Sequence, residues 1–241
     1  MSSAPLSYKE LARYYDLIYT FKDYQKEAEK VRTIIEKFKK SEGHELLDVA
    51  CGTARHLLFL QDSYQCTGVD MSGEMLEIAK KKLPHLEFRE ENMIHMRLEK
   101  QFDIITCLFS SIGYVKTWKN LQKTWETFAF HLKKGGVAVV EPWFTREQYK
   151  IGLPCMTTYE DENIKIARLN VANAEGNISV MDMHYLVAEK DQEVKYFQDH
   201  HEIGMFGIDQ TLEIMRRAGF NAEFSPDGLM RDRGIYIGVR K

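Results

Sequence analysis

The stretch that most limits how this chain can fold is Glu45-Leu-Leu-Asp-Val-Ala-Cys-Gly-Thr53, followed 18 residues after Gly52 by Val69-Asp70. A short apolar run ends in a turn of small residues, and an acidic residue closes the next apolar run. That is the layout of a strand, a tight glycine turn, a helix and a second strand. The same rhythm continues downstream. Ser72 is placed to cap a helix whose Met75, Ala79 and Leu83 face inward, with Pro84 just beyond. Leu86-Glu-Phe88 reads as a third strand, Phe102 to Phe109 as a fully apolar fourth and Val137 to Val140 as a fifth. A helix with Leu121, Trp125, Phe128 and Leu132 in register lies between the last two, closed by Lys133-Lys-Gly-Gly136. Strands alternating with helices predict an α/β fold, a doubly wound, Rossmann-like parallel sheet with helices on both faces.

Both ends of the chain depart from this rhythm. Tyr24, Ala28, Val31, Ile35 and Phe38 form one helical stripe over residues 24–39, preceded by an aromatic-rich arm from Tyr8 to Tyr19. After Glu141-Pro-Trp143, residues 155–203 read as three or four strands, with turn signals at 160–163, 174–177 and 190–191. This predicts an antiparallel β insertion after the fifth strand. A helix from Asp209 to Ala218 stops at Gly219, and two strands near 220–225 and 234–240 complete the sheet. The expectation is one domain over 1–241: an arm and helix (1–40), a cofactor-binding core (41–150), the insertion as a substrate platform (151–205), and a C-terminal helix and strands (206–241).

The 241 residues are enough for one such domain. The net charge of −3, without a basic face, argues against nucleic acid as a partner. The lysines at 37–40 and 80–82 fall at the ends of helical patterns, where they suit the helix dipole. No stretch approaches ~18 apolar residues and no apolar signal region opens the chain, so a cytoplasmic protein without a membrane partner is expected. Cys51, Cys66, Cys107 and Cys155 form no metal-type cluster and read as small hydrophobes in a reducing compartment; no metal is expected.

Ligands of open α/β sheets bind outside the carboxyl ends of the strands, and the first turn says which ligand fits. Asp48-x-Ala50-x-Gly52 lacks the third glycine of a dinucleotide fingerprint and sets a carboxylate at the mouth of the strand. A pyrophosphate is a poor neighbour for that carboxylate; the ammonium and sulfonium of S-adenosylmethionine are good ones. The free amides after Gly52 can receive the methionine carboxylate. Asp70 then accepts from the ribose hydroxyls, or else caps the next helix. Asn92, after strand three, reads the adenine edge or serves a turn. Met71, Met93 and Leu108 wall the cofactor or belong to the core. Ser110-Ser-Ile-Gly-Tyr114 follows strand four as a working loop facing the transferable methyl, with Tyr114 as the acceptor-side hydroxyl or a packed ring. Glu141 is placed to hold an amine and Trp143 to wall the acceptor, or both are structural. His184, His200 and His201 read as packing residues of the insertion.

Leu46-Leu-Asp-Val-Ala-Cys-Gly-Thr53, Phe109-Ser-Ser-Ile-Gly113, Gly135 to Trp143 and Arg233 to Val239 resemble class I methyltransferases. Nearly the whole chain is similar to the N-methyltransferases of nucleotide-linked amino sugars, the desosamine and mycaminose type. The resemblance implies that Ala50, Asp70, Asn92, Met93 and Leu108 line the cofactor. It implies that Tyr15 and Tyr24 fold over the active site and that Tyr8 and Arg233 contact the acceptor or its diphosphate. Gly52-Thr-Ala-Arg55 departs from the family by lacking a second glycine and carrying an arginine, expected to pair with the cofactor carboxylate. Asn92 replaces a more usual aspartate, Tyr114 stands where relatives often carry histidine, and the arm between Tyr19 and Tyr24 is short and lacks Gly-Arg-Gly. The implied enzyme is an S-adenosylmethionine-dependent methyltransferase acting on the amine of a small molecule, as a monomer or homodimer. The rivals are a methyltransferase for a free amino acid, small amine or hydroxyl, and a cofactor-binding regulator without catalysis.

Overall fold

The computed structural model describes residues 8–241, with side chains described from Ala12 onward. The expected βα rhythm runs through β1 (Glu45–Val49), α3 (Leu57–Leu60), β2 (Gln65–Asp70), α4 (Gly73–Lys82), β3 (Glu87–Glu90), β4 (Phe102–Cys107), α5 (Trp118–His131) and β5 (Leu132–Val140), preceded by α1 (Tyr8–Ile18) and α2 (Tyr24–Phe38). Side-chain caps begin the helices. Asp23 accepts from the Lys26 amide at 3.0 Å, Ser72 from Met75 at 3.2 Å and Thr117 from Asn120 at 3.2 Å. The helix expected after the glycine turn is a single turn, Leu57–Leu60, because Ala54 takes a left-handed backbone that no α-helix accommodates.

Seven strands form the main sheet in the order β11-β12-β5-β4-β1-β2-β3, with β11 (Phe220–Ser225) and β12 (Ile235–Arg240) joining after α6 (Ile208–Arg217). β1 to β5 run parallel, whereas β12 is antiparallel to both its neighbours. Strand alternation divides the core. Leu47 and Ile105 enter one cluster with Trp125, Phe128 and Phe220; Leu46 and Ile104 enter the other with Ala28, Val31, Ile35 and Ala79. Chain order reverses between β1 and β4, the switch point at which such sheets open a crevice.

The insertion holds five strands, one more than the turn signals require: β6 (Pro154–Glu160), β7 (Ile164–Val171), the short β8 (Asn173–Glu175), β9 (Ile178–Glu189) and β10 (Lys195–Gly204). All pair antiparallel, in the order β10-β9-β7-β6 with β8 on β9. The aromatic arm is the helix α1, which ties the two sheets together. Tyr14 and Ile18 pack with Ile166, Tyr185, Val187 and Phe197 of the second sheet. On the other side Asp16 accepts from Thr53 Oγ1 at 2.6 Å and Lys82 Nζ at 2.8 Å. Among the described residues no helix is long and apolar enough to cross a membrane.

Candidate active site

A cavity of about 720 Å³ opens outside the carboxyl ends of β1, β2 and β4, between the switch point, α1 and the second sheet. Tyr15, Ala50, Gly52, Asp70, Met71, Met93, Tyr114, Trp143 and Arg233 line it, as do Glu74 and Glu91. The sequence therefore brings most of its candidates to one place.

The turn after β1 forms the first half of the site. Ala50 and Gly52 both sit at positive φ (56° and 55°), which for Ala50 costs about 1–2 kcal/mol. No atom lies within 4 Å of where a Cβ on Gly52 would stand, so the backbone itself faces the cavity. Asp70 Oδ2 accepts from the Gly52 amide at 2.8 Å and Oδ1 from the Ser72 amide at 2.9 Å. Burial raises the Asp70 carboxyl while the amides of Ser72, Gly52 and Met71 oppose that shift. The carboxylate thus closes the turn and still reaches the cavity.

Asp48, Asn92, Leu108, Tyr24 and Glu141 are not on the cavity wall. Asp48 is buried behind the turn, where it accepts from Thr106 Oγ1 at 2.7 Å and couples β1 to β4. Burial pushes its carboxyl up to about 6, against the restraint of His56 and Thr106. Asn92 Oδ1 accepts from the Ile94 amide at 2.9 Å, the turn role, and its neighbour Glu91 lines the cavity instead. Leu108 is buried in the core cluster behind β4, and the half-buried Phe109 lines the cavity instead. Tyr24 is buried under Arg55, whose guanidinium lies 4.9 Å from its ring centroid, and it meets His56 edge-on. Arg55 likewise stands over Tyr24 and not at the cavity wall. The Tyr8 side chain lies outside the described residues.

Glu141 is fully buried, and both of its oxygens are occupied: Oε2 accepts from the Phe109 amide at 2.7 Å and Oε1 from the Met230 amide at 3.0 Å. Its work is to brace a strained loop, since Phe109 and Ser110 are consecutive left-handed residues (φ 53° and 63°). Ser110 Oγ donates to Pro142 O at 2.6 Å and accepts from Arg233 Nη1 at 2.9 Å. The Arg233 guanidinium lies 4.5 Å from the Trp143 ring centroid and 5.2 Å from that of Phe144. Its Nε is buried and has no partner among the described residues.

The roof and far wall were not legible residue by residue. Tyr15 and Ile18 of α1 and Tyr19 just after it lie over the cavity, and Arg168 Nη1 donates to the Tyr19 hydroxyl at 2.7 Å. Burial, then neighbouring Tyr19, Tyr24, Tyr114 and Asp70, hold the Tyr15 phenol well above its ordinary range. Met181, Met183 and Tyr185 of β9 and Asp199, His201 and Ile203 of β10 follow the strand period of two, and all face inward. The odd-numbered positions were the available signal. Of the three histidines read as packing residues, His184 bonds Tyr196 and His200 pairs with Asp182 on the opposite, exposed face. His201 faces the cavity, a correction to its reading as a packing residue.

The first half suits the S-adenosylmethionine expected from the sequence. Asp70 and Glu91 supply carboxylates, Ala50, Gly52, Met71 and Met93 a backbone and apolar wall, and Asp48 a negative charge close behind. Residues 46–136 match a family model described as a methyltransferase domain. The chain is 34% identical to a dTDP-3-amino-3,6-dideoxy-alpha-D-glucopyranose N,N-dimethyltransferase of Streptomyces fradiae, over 95% of this chain and 91% of the relative. It is 34% identical to a dTDP-3-amino-3,4,6-trideoxy-alpha-D-glucopyranose N,N-dimethyltransferase of Streptomyces venezuelae, over 93% and 95% of the two chains. The crystal structure of Streptomyces venezuelae DesVI superposes with a TM-score of 0.91 at 33% identity, covering 96% of this chain and 98% of that one.

Proposed function

Because this chain belongs to the methyltransferase family that holds the dTDP-amino-sugar N,N-dimethyltransferases, we propose that it methylates the amine of a dTDP-linked amino sugar. The observation that carries this reading is the division of charge across the switch point. Asp70 enters the cavity from the end of β2, Glu74 from the first turn of α4 and Glu91 from the loop after β3. Arg233 enters from the loop before β12, on the other side of β1 and β4, and Arg168 from the second sheet. The acidic half accommodates a cationic methyl donor. The basic half, lined by Arg233 and Arg168, accommodates an anionic group on the acceptor.

Bound S-adenosylmethionine supplies a methyl group already activated on a sulfonium. The protein's own task is alignment and desolvation. The turn at Ala50–Gly52 and Asp70 fix the donor's nucleoside end, and Tyr15 of α1 with Tyr19 just after it covers the cavity against water. The loop braced by Glu141 presents Ser110, Ser111 and Tyr114 to the acceptor. Arg233 and Arg168 hold the diphosphate. The four free cysteines suit a reducing compartment, and we place the reaction in the cytoplasm.

Thermal unfolding with added nucleotide tests the acceptor half. A ligand at 100 times its Kd stabilises the folded state by about 2.7 kcal/mol. We expect dTDP to raise the Tm of the wild type and to lose that effect in Arg233→Ala. No response to dTDP or UDP would move the acceptor to a small amine without a nucleotide.

A further inference from the structure

We propose that Thr127 and His131 of α5 are positioning residues for the donor site, holding the loop between β3 and β4 so that Glu91 and Met93 stand on the cavity wall. That loop, residues 91–101, is neither helix nor strand, yet Glu91 and Met93 both line the cavity. Its first amide is tied to the sheet, where Glu91 N–H donates to Asp70 O at 2.9 Å. Downstream, two buried side chains of α5 take it up. Thr127 Oγ1 donates to Ile94 O at 3.0 Å, and His131 Nε2 accepts from the Leu98 amide at 2.9 Å. The same end of α5 holds the rest of the loop: the Arg97 guanidinium lies 4.8 Å from the Phe130 ring centroid, and Gln101 Nε2 donates to Phe130 O at 3.2 Å.

The partners leave one assignment for the imidazole. The Leu98 backbone N–H can only donate, so Nε2 carries the lone pair. Nδ1 then carries the proton and donates to Thr127 O, one turn back on the helix, at 2.8 Å. Thr127 thus fixes the tautomer through its carbonyl and holds Ile94 through its hydroxyl. His131 is fully buried, and burial holds its imidazole below the ordinary range, in the neutral form this bonding needs. Neither residue lines the cavity. Met93, Met96 and Leu98 share a core cluster with Trp125 and Phe128 of α5. Such apolar contact is non-directional, and it holds the loop down without fixing where along the helix it sits. The two hydrogen bonds are directional and set that register. Ile94 directly follows Met93, so a shift at its carbonyl passes straight to the cavity wall.

Donor binding tests the proposal, whatever the acceptor. Isothermal titration with S-adenosylmethionine, run well below each variant's Tm, is expected to show His131→Leu binding about 10-fold more weakly, because the Leu98 amide loses its acceptor and the loop its register. His131→Gln keeps an acceptor oxygen for that amide and should bind within about threefold of the wild type. Thr127→Val keeps the shape of the side chain without its hydroxyl and should bind about 3- to 10-fold more weakly. In 15N-histidine NMR of the wild type, assigned with H131Q, His131 is expected as the Nδ1–H tautomer. An Nε2–H tautomer would overturn the proposal. So would a lowered Tm with unchanged donor affinity in H131L and T127V, which would make both residues merely structural, or an H131Q variant that binds no better than H131L. If H131L does not fold, the affinities of T127V and H131Q and the tautomer decide.

Discussion

The Asp70 carboxylate accepts the Gly52 amide at 2.8 Å, joining the end of β2 to the turn after β1 across 18 residues of chain. The pair links the two halves of the motif that opened the sequence. One carboxylate oxygen closes the glycine turn and the other takes the amide of Ser72, the residue that caps α4 in place of Asp70, and the group still faces the cavity.

Asp70→Asn is therefore expected to weaken the donor, not merely the helix. The substitution trades an acceptor oxygen for an amide that faces a backbone N–H. Hydrogen bonds to charged groups contribute about 1.5–3 kcal/mol, so a loss of roughly 10- to 100-fold in S-adenosylmethionine affinity is expected. Isothermal titration of the variant measures it, and wild-type affinity would remove Asp70 from the donor site.

Glu141 reads from the sequence as holding an amine or as structural, and its burial and bonding put the prediction on stability. Glu141→Ala leaves the Phe109 and Met230 amides without their acceptor and should cost about 2–3 kcal/mol. Glu141→Gln should be nearly as costly, because an amide can accept only one of the two. At about 2–4 °C per kcal/mol, a calorimetric Tm lower by about 4–12 °C is expected in both. A Glu141→Gln variant with wild-type Tm would contradict the brace.

Asp48 gives a pH signature. Its folded pKa of about 6 lies above the 3.8 of an unperturbed aspartate, so the folded state binds the proton more tightly. Stability from this group is fully present below the unfolded value and is lost as pH rises to about 6. Above that, the folded chain carries a buried charge at a cost on the order of 2–3 kcal/mol. Asp48→Asn keeps an acceptor for Thr106 and removes the charge. The free variant should melt about 4–10 °C above the wild type at pH ~7.5 and level with it at pH ~4. A lower Tm at the higher pH would show the charge to be stabilising.

Gly113→Ala tests the contact between the turn and β10. The added methyl meets Ile203, and overpacking of this kind costs about 1–3 kcal/mol. The expected outcome is a lower Tm together with lost turnover at unchanged donor affinity, because the turn at Ser111–Val115, which carries Tyr114 to the cavity, is pushed off β10. Unchanged turnover would separate the turn from the chemistry.

The sheet and its cofactor end were legible because their signals are local. Strand periodicity, the small-residue turn, the Ser72 cap and the carboxylate at Asp70 all lie within short windows of sequence. What escaped was set by pairing between distant segments. Asp48 and Asp70 look alike as acids at strand ends, yet contact with Thr106 of β4 buries the first. Glu141 reads as a free carboxylate until the amides of Phe109 and Met230 are brought to it. His201 differs from His184 and His200 only in which face of the second sheet it takes, and that face is chosen by packing under α1 and against Gly113. The longer insertion hid β8, whose three residues carry too little pattern to separate from a turn.

The most direct measurement incubates the purified protein with isotope-labelled S-adenosylmethionine and dTDP-linked 3-amino and 4-amino sugars, with the products read by mass spectrometry. Label transferred to the sugar amine is expected, and the mass gains give the number of methyl groups added. Confirmed donor binding with no label on any dTDP-amino sugar, alongside turnover of a nucleotide-free amine, would contradict the proposed acceptor.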